Sequence, residues 1–330
     1  SLTINSCHTG RDDMSQNIIA VIWDFDKTLI KGYMQDPIFK KYNVDEDSFW
    51  KEVNLLHSEY RKQGINVNKE TIYLNHFITC TNQGIFEGLN NNLLRELGQK
   101  LEFYNGIPDI FIDLKNIVEN DDKYKKHGIL LEHYIVSTGL SEMIKGSKIN
   151  EFVDGIWGCE FIETPIKSEI DIKEYKKDAA EDTGVISQVG YAIDNTSKTR
   201  AIFEINKGVN KFEKIDVNSK LPHNMRRVPI ENMIYIADGP SDVPVFSVLK
   251  QNGGTTFAVY AEDSQKEFEQ VERLRTDGRV DMYGAADYSE GTLTYRWLSK
   301  QVKDIAEKIY SRLEHEVLSS ASKAPQHFND

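Results

Sequence analysis

Four short apolar runs punctuate the chain: IIAVIW at 18–23, HYIV at 133–136, MIYIA at 233–237 and TTFAVY at 255–260. Each is continuous rather than alternating, and helix-length stretches lie between them, a pattern that predicts strands buried on both faces of a parallel sheet. The first three runs end on a polar side chain, at Asp24, Ser137 and Asp238. Ligands of open parallel sheets bind beyond the carboxyl ends of the strands, so these three endings are expected to converge on one site.

More chain separates the first two runs than a crossover helix needs. Phe49, Val53, Leu56 and Tyr60, then Ile72, Leu74, Phe77 and Ile78, then Leu93, Leu94, Leu97 and Leu101 recur at helical spacing, which predicts several helices in a small cap over 33–105. NGIPDIFIDLKNIV at 105–118 returns to the core, with Pro108 near a helix start. Between Gly139 and Lys198, GIWGCEFIE at 155–163 and GVISQVGYAI at 184–193 have the β-branched and aromatic content of a hairpin or flap. The polar stretch 208–229 reads as a surface excursion. Leu298, Val302, Ile305, Ile309 and Leu313 form the buried stripe of a long helix packed on the domain. The expectation is an α/β protein: a core of parallel strands over 1–32 and 106–318, an inserted helical cap over 33–105, and a disordered tail over 319–330.

Composition narrows the partners. At 39% hydrophobic and 28% charged residues, the 330-residue chain has the balance of an ordinary globular protein. Its net charge of −12 opposes nonspecific attraction to nucleic acid or anionic lipid. No segment is long and apolar enough to span a membrane, and the first twenty residues lack the apolar core of a secretory leader. Cys7, Cys80 and Cys159 match neither a disulfide framework nor a zinc spacing, so a reducing cytoplasm is expected.

The chemistry gathers where the strands end. In VIWDFDKTLI, Asp24 and Asp26 stand one residue apart, and two carboxylates that close repel unless something offsets their charge. A hard cation such as Mg²⁺ would do so and would draw in phosphate; the plain alternative is one capping residue and one solvated residue. ADGPSDVP at 237–244 supplies a second pair, Asp238 and Asp242, which could instead be turn residues. Ser137 with Thr138 and Gly139 offers a hydroxyl and amides for a phosphate oxygen, or simply a helix cap. Lys198 could neutralise a carboxylate and a phosphoryl group together, in a region it shares with Lys167, Lys173 and Lys207.

Taken in order, DFDKT, the serine of IVS, Lys198 and DGPSD resemble the four motifs of the haloacid dehalogenase superfamily of aspartate-nucleophile phosphatases. The cap between the first two motifs is most similar to the branch containing phosphoserine phosphatase. Thr138 stands where that branch usually has glycine, so the resemblance implies the chemistry without naming the ester.

The resemblance implies a Rossmann-like core and a Mg²⁺-dependent phosphomonoester hydrolase acting on a small phosphorylated metabolite. Asp24 would form an aspartyl phosphate, and Asp26 would serve as acid and then base. Thr28, Ser137, Thr138 and Lys198 would hold the phosphoryl oxygens; Asp24, Asp26, Asp238 and Asp242 would hold the metal. Asp26 favours a phosphate ester over a halide, because a departing halide needs no proton. A phosphomutase using the same phosphoenzyme is the alternative enzyme. A receiver-like phosphoacceptor module is the alternative of another class, although such modules have neither the cap nor an acid two residues after the phosphoacceptor.

Overall fold

The structure is a computed structural model that describes residues 16–165, 168 and 184–322; Cys7, Lys167, Lys173 and the tail from 323 onward lie outside the described residues. The architecture is α/β, as expected. Strands β1 (Ile18–Trp23), β2 (Leu130–Leu140), β3 (Gly155–Ile162), β4 (Gln188–Tyr191), β5 (Met233–Ala237), β6 (Thr255–Tyr260) and β7 (Met282–Ala285) follow the order β4-β3-β2-β1-β5-β6-β7. All four apolar runs are strands. The chain divides into two compact units: residues 1–23, 105–134 and 199–330 form the first, and residues 24–104 and 135–198 the second.

In the first unit β1, β5, β6 and β7 are parallel neighbours, with Trp23 beside Ile236, Ala237 beside Ala258 and Tyr260 beside Ala285. Every residue of β1 and β5 is buried, which is why these strands read as unbroken apolar runs. Strand β7 is only four residues long and escapes such a reading. Among the described residues, no helix is long and apolar enough to cross a membrane.

The unit's helices include α5 (Asp109–Glu119), which follows Pro108 as expected, and the short α6 (Asp122–Lys125). Helices α9 (Val243–Gln251), α10 (Gln265–Thr276) and α11 (Leu293–Ser322) complete the set with most of α8 (Lys198–Lys207). The stripe from Leu298 to Leu313 is buried along α11. That helix continues through Ser322, into the stretch expected to be a tail. The excursion at 208–229 is anchored rather than wholly solvated: Arg227 is buried and pairs with Glu132 through two bonds, Nη1 to Oε1 at 2.5 Å and Nη2 to Oε2 at 3.0 Å. A two-pronged arginine–carboxylate pair gives each of two buried charges its opposite.

Trp23 ends β1 at the centre of this unit. Its ring stacks on Phe111 at 4.7 Å and meets Tyr288 edge-on at 5.6 Å, while its Nε1 donates to His133 Nδ1 at 3.1 Å. His133 then uses Nε2 to donate to the Phe111 carbonyl at 2.9 Å, so both indole and imidazole are satisfied without solvent and the imidazole is neutral.

The second unit holds α1 (Asp36–Tyr42), α2 (Glu46–Lys62), α3 (Lys69–Asn82), α4 (Asn91–Gly98) and α7 (Ser141–Gly146), with the antiparallel pair β3 and β4. Asp45, Asn68 and Asn90 begin three of the helices, each accepting the amide proton three residues on: Ser48, Thr71 and Leu93. Phe39, Phe49, Phe77 and Phe86 form an aromatic core with centroids 5.0 to 6.3 Å apart. Helices α4 and α7 meet backbone to backbone. A Cβ on Gly98 would stand 2.0 Å from the Met143 carbonyl oxygen, and one on Gly146 1.9 Å from that of Arg95. The helical stretch therefore clusters with residues 135–198 instead of forming a compact unit alone.

Burial pushes the His133 pKa down to about 3, with Lys115 adding to the effect and the bond to Phe111 opposing it. An unfolded histidine takes up its proton near pH ~6.5, whereas the folded chain refuses it until about pH 3. The contribution is therefore complete above pH ~6.5 and is lost as pH falls toward 3, at about 1.4 kcal/mol per pH unit. Urea unfolding at pH 7 and pH 5 should show a loss of about 2 kcal/mol from this group. A His133→Gln variant, which can keep both hydrogen bonds, should lack that component.

Candidate active site

The loop after β1 explains the alternation in DFDKT. The Phe25 carbonyl accepts the amides of Thr28 at 3.2 Å and Leu29 at 2.9 Å, so the chain turns at once. Lys27 takes the left-handed conformation at φ 58°, costly for a residue with a Cβ, and its N–H donates to the Gly32 carbonyl at 3.1 Å. Phe25 is fully buried and meets Phe103 edge-on at 5.8 Å. The side chain between the aspartates thus anchors the loop. The same turn lets Thr28 Oγ1 donate to Asp24 Oδ2 at 2.9 Å.

Lys198 arrives from the start of α8. Asp194 shapes that start: its Oδ1 accepts the amides of Thr196 at 2.9 Å and Ser197 at 2.7 Å, and its carbonyl accepts that of Lys198 at 3.0 Å. The Lys198 ammonium then donates to Asp24 Oδ1 at 2.9 Å, with the lysine 2% and the aspartate 6% exposed. Lys207 is used elsewhere, donating to the carbonyls of Val217 and Ser219.

Ser137, buried in the last part of β2, accepts the Gly139 amide on its Oγ at 2.9 Å. The Thr138 carbonyl accepts from Tyr73 Oη at 2.6 Å and from Cys159 Sγ at 3.3 Å. A Cβ on Gly139 would stand 2.2 Å from Cε at the end of the Met34 side chain, which would have to shift. Met34 also donates its amide to Asp26 Oδ1 at 3.0 Å.

Asp26 keeps part of its surface accessible. Burial and the neighbouring charge of Asp24 nevertheless push its pKa up to about 8, against the Met34 amide and Lys198, so the carboxyl holds a proton at neutral pH. Two carboxyls one residue apart thus have different partners: Asp24 an ammonium and a hydroxyl, Asp26 an amide.

Asp24, Asp26, Thr28, Ser137, Thr138 and Lys198 all belong to the second unit, where Thr28 and Lys198 meet on Asp24. Asp238 and Asp242 belong to the first unit. Asp238 follows the last residue of β5 and is half-buried; Asp242 is 1% exposed and accepts from Tyr235 Oη at 2.6 Å. The stretch turns after β5, with the Asp242 N–H donating to the Gly239 carbonyl at 3.1 Å, and although α9 begins just after Asp242, its carboxylate caps no amide there. Asp194, Met34 and Tyr73 are additions that the sequence reading missed. The capping pattern DNTS could have revealed Asp194, whereas Met34 acts on Asp26 through its backbone, which any residue but proline supplies.

No protein-family model matches the chain. It is 39% identical over 291 residues to a Borreliella burgdorferi protein described as "Uncharacterized protein", covering 87% of this chain and 97% of the relative. Among solved structures, a probable phosphoserine phosphatase from Vibrio cholerae is similar at a TM-score of 0.45 and 14% identity, over 91% of this chain and 69% of that one. A HAD family hydrolase from Salmonella enterica serovar Typhi gives 0.44 and 14%, over 81% and 67%. A phosphoserine phosphatase described as a phospho-aspartyl intermediate analogue gives 0.41 and 17%, over 80% and 92%.

Removing the ammonium would leave the buried Asp24 carboxylate facing only its hydroxyl partner. Lys198→Met should cost about 3–5 kcal/mol in urea unfolding at pH 7 without divalent ions. A cost below about 1 kcal/mol, the range of a solvent-exposed ion pair, would show that this pair is hydrated in solution.

Proposed function

This chain belongs to one family with the Borreliella burgdorferi protein, and we propose that it is a Mg²⁺-dependent phosphomonoester hydrolase of the haloacid dehalogenase superfamily. The observation that carries the reading is the setting of Asp24: buried, held between the Lys198 ammonium and the Thr28 hydroxyl, with a protonated carboxyl two residues on. A nucleophile, a proton donor and phosphoryl-binding groups are then distinct side chains.

In the first step an Asp24 oxygen attacks phosphorus and forms a P–O bond, while the bond from phosphorus to the alcohol oxygen breaks. Asp26 gives its proton to that departing oxygen. In the second step Asp26, now a carboxylate, takes a proton from water as the water oxygen bonds to phosphorus. The bond from phosphorus to Asp24 breaks, returning the carboxylate and releasing phosphate. Lys198, Thr28, Ser137 and Thr138 hold the phosphoryl oxygens through both steps.

Asp24, Asp26, Asp238 and Asp242 would hold Mg²⁺, Asp26 through its backbone carbonyl. The donor set fits: it is all oxygen, and two of its carboxylates, Asp24 and Asp242, are buried. Support also comes from the chain path. Strands β1 and β5 are parallel neighbours with Trp23 beside Ile236, and the residues that follow the two strands are Asp24 and Asp238. When bound, the ion supplies positive charge that offsets the carboxylates and the phosphoryl group. The substrate would be a small phosphorylated metabolite.

Turnover of p-nitrophenyl phosphate should require Mg²⁺ and fall to background in excess chelator. Undiminished activity there would remove the metal from the reading.

The aspartates separate by kinetics. Nitrophenolate leaves without a proton, so in Asp26→Asn the first step should survive in part, while dephosphorylation slows by roughly a hundredfold or more for want of a base. Rapid mixing should show a burst approaching one nitrophenolate per site, with phosphate on Asp24 after acid quench. Asp24→Asn should give neither. Labelling of Asp24→Asn would overturn the assignment of the nucleophile.

A further inference from the structure

We propose that Tyr73, on α3, is a positioning residue for the phosphoryl-binding turn: its hydroxyl clamps the Thr138–Gly139 peptide and through it aims the Ser137 hydroxyl. The inference rests on the phosphatase reading above.

That peptide is held at both ends. Its carbonyl accepts from Tyr73 at 2.6 Å and from Cys159 at 3.3 Å, and its N–H donates to Ser137 Oγ at 2.9 Å. Rotating the plane would break all three contacts. A hydroxyl has one proton to give and two lone pairs to receive. Because Ser137 Oγ receives the Gly139 proton, its own O–H is left to donate to a phosphoryl oxygen. The orientation of Ser137 therefore depends on the plane that Tyr73 holds.

The surroundings leave the turn little freedom to compensate. Met34 stands where a Gly139 side chain would be, and a Cβ on Gly158 would lie 3.2 Å from the Gly139 carbonyl oxygen. Tyr73 is itself fixed: it is buried, with Trp50 edge-on at 5.5 Å and Phe77 edge-on at 6.1 Å. Burial, with Cys159, Asp26 and Glu70 nearby, raises its pKa well above the ordinary value, so the hydroxyl keeps the proton that it donates. A cap helix thus reaches the phosphate-binding turn by one hydrogen bond. Through it, α3 would set phosphoryl affinity without touching the substrate.

Tyr73→Phe keeps the ring and its packing and deletes only the clamp. In the Mg²⁺-loaded enzyme it should raise the inhibition constant of inorganic phosphate and the KM for p-nitrophenyl phosphate together by about three- to tenfold, the range of one lost hydrogen bond. The kcat should stay within about twofold, because the interaction is the same in ground and transition states. In a Ser137→Ala background the same substitution should change the phosphate constant by less than about 1.5-fold, since the group it positions is gone. An unchanged phosphate constant in Tyr73→Phe would overturn the proposal, as would an equal factor in both backgrounds. If the unsubstituted enzyme hydrolyses the ester and binds phosphate while Tyr73→Phe is indistinguishable from it, only the role of Tyr73 falls. If the unsubstituted enzyme does neither, the phosphatase reading falls and takes this proposal with it.

Discussion

The contact between Lys198 and Asp24 joins residues 174 positions apart and lies almost wholly out of water. Burying two charges costs several kcal/mol each, and their attraction returns that only when geometry and further hydrogen bonds are good. Here the geometry is good: Asp24 receives an ammonium on one oxygen and the Thr28 hydroxyl on the other. A pair of this kind adds little net stability compared with an apolar one. What it secures is a carboxylate fixed in a dry setting with a cation beside it. The Asp194 cap and the turn around Phe25 both serve that one contact, one from each end.

The neighbouring carboxyl shows how two like residues can differ. Burial does most to raise the proton affinity of Asp26, the charge of Asp24 across a single residue adds to it, and the Met34 amide and Lys198 are too small an offset. The difference arises from partners rather than from residue type.

The apolar runs of β1, β2, β5 and β6 were legible because strands buried on both faces carry no polar alternation to obscure them. The helices of 33–105 were legible from the spacing of Phe49, Val53, Ile72, Phe77, Leu94 and Leu97, all buried. Asp24, Ser137 and Asp238 stood out as polar endings, and DFDKT showed which carboxyls belong together. Other features had no such signature. Strand β7 is too short for periodicity, and the lysine partner of Asp24 is one of several until the cap at Asp194 places it. Met34 acts through an amide, and Arg227 lies in a stretch whose polar composition suggests solvent. The close approach of α4 to α7 rests on two glycines, and an absent side chain leaves nothing for a hydrophobic pattern to register.

Those two glycines also decide what can be exchanged. With Gly98 against the backbone at Met143 and Gly146 against that at Arg95, α4 and α7 share a surface in which neither supplies side-chain bulk at the crossing. A graft that replaced 33–105 by the helices of another protein would leave α7 fitted to a partner no longer there. Its replacement would have to offer a glycine at the same depth or push the helices apart. Modularity in this chain accordingly follows the paired segments 24–104 and 135–198, and a chimaera built on the helical insertion alone would inherit a mismatch at its most closely packed seam.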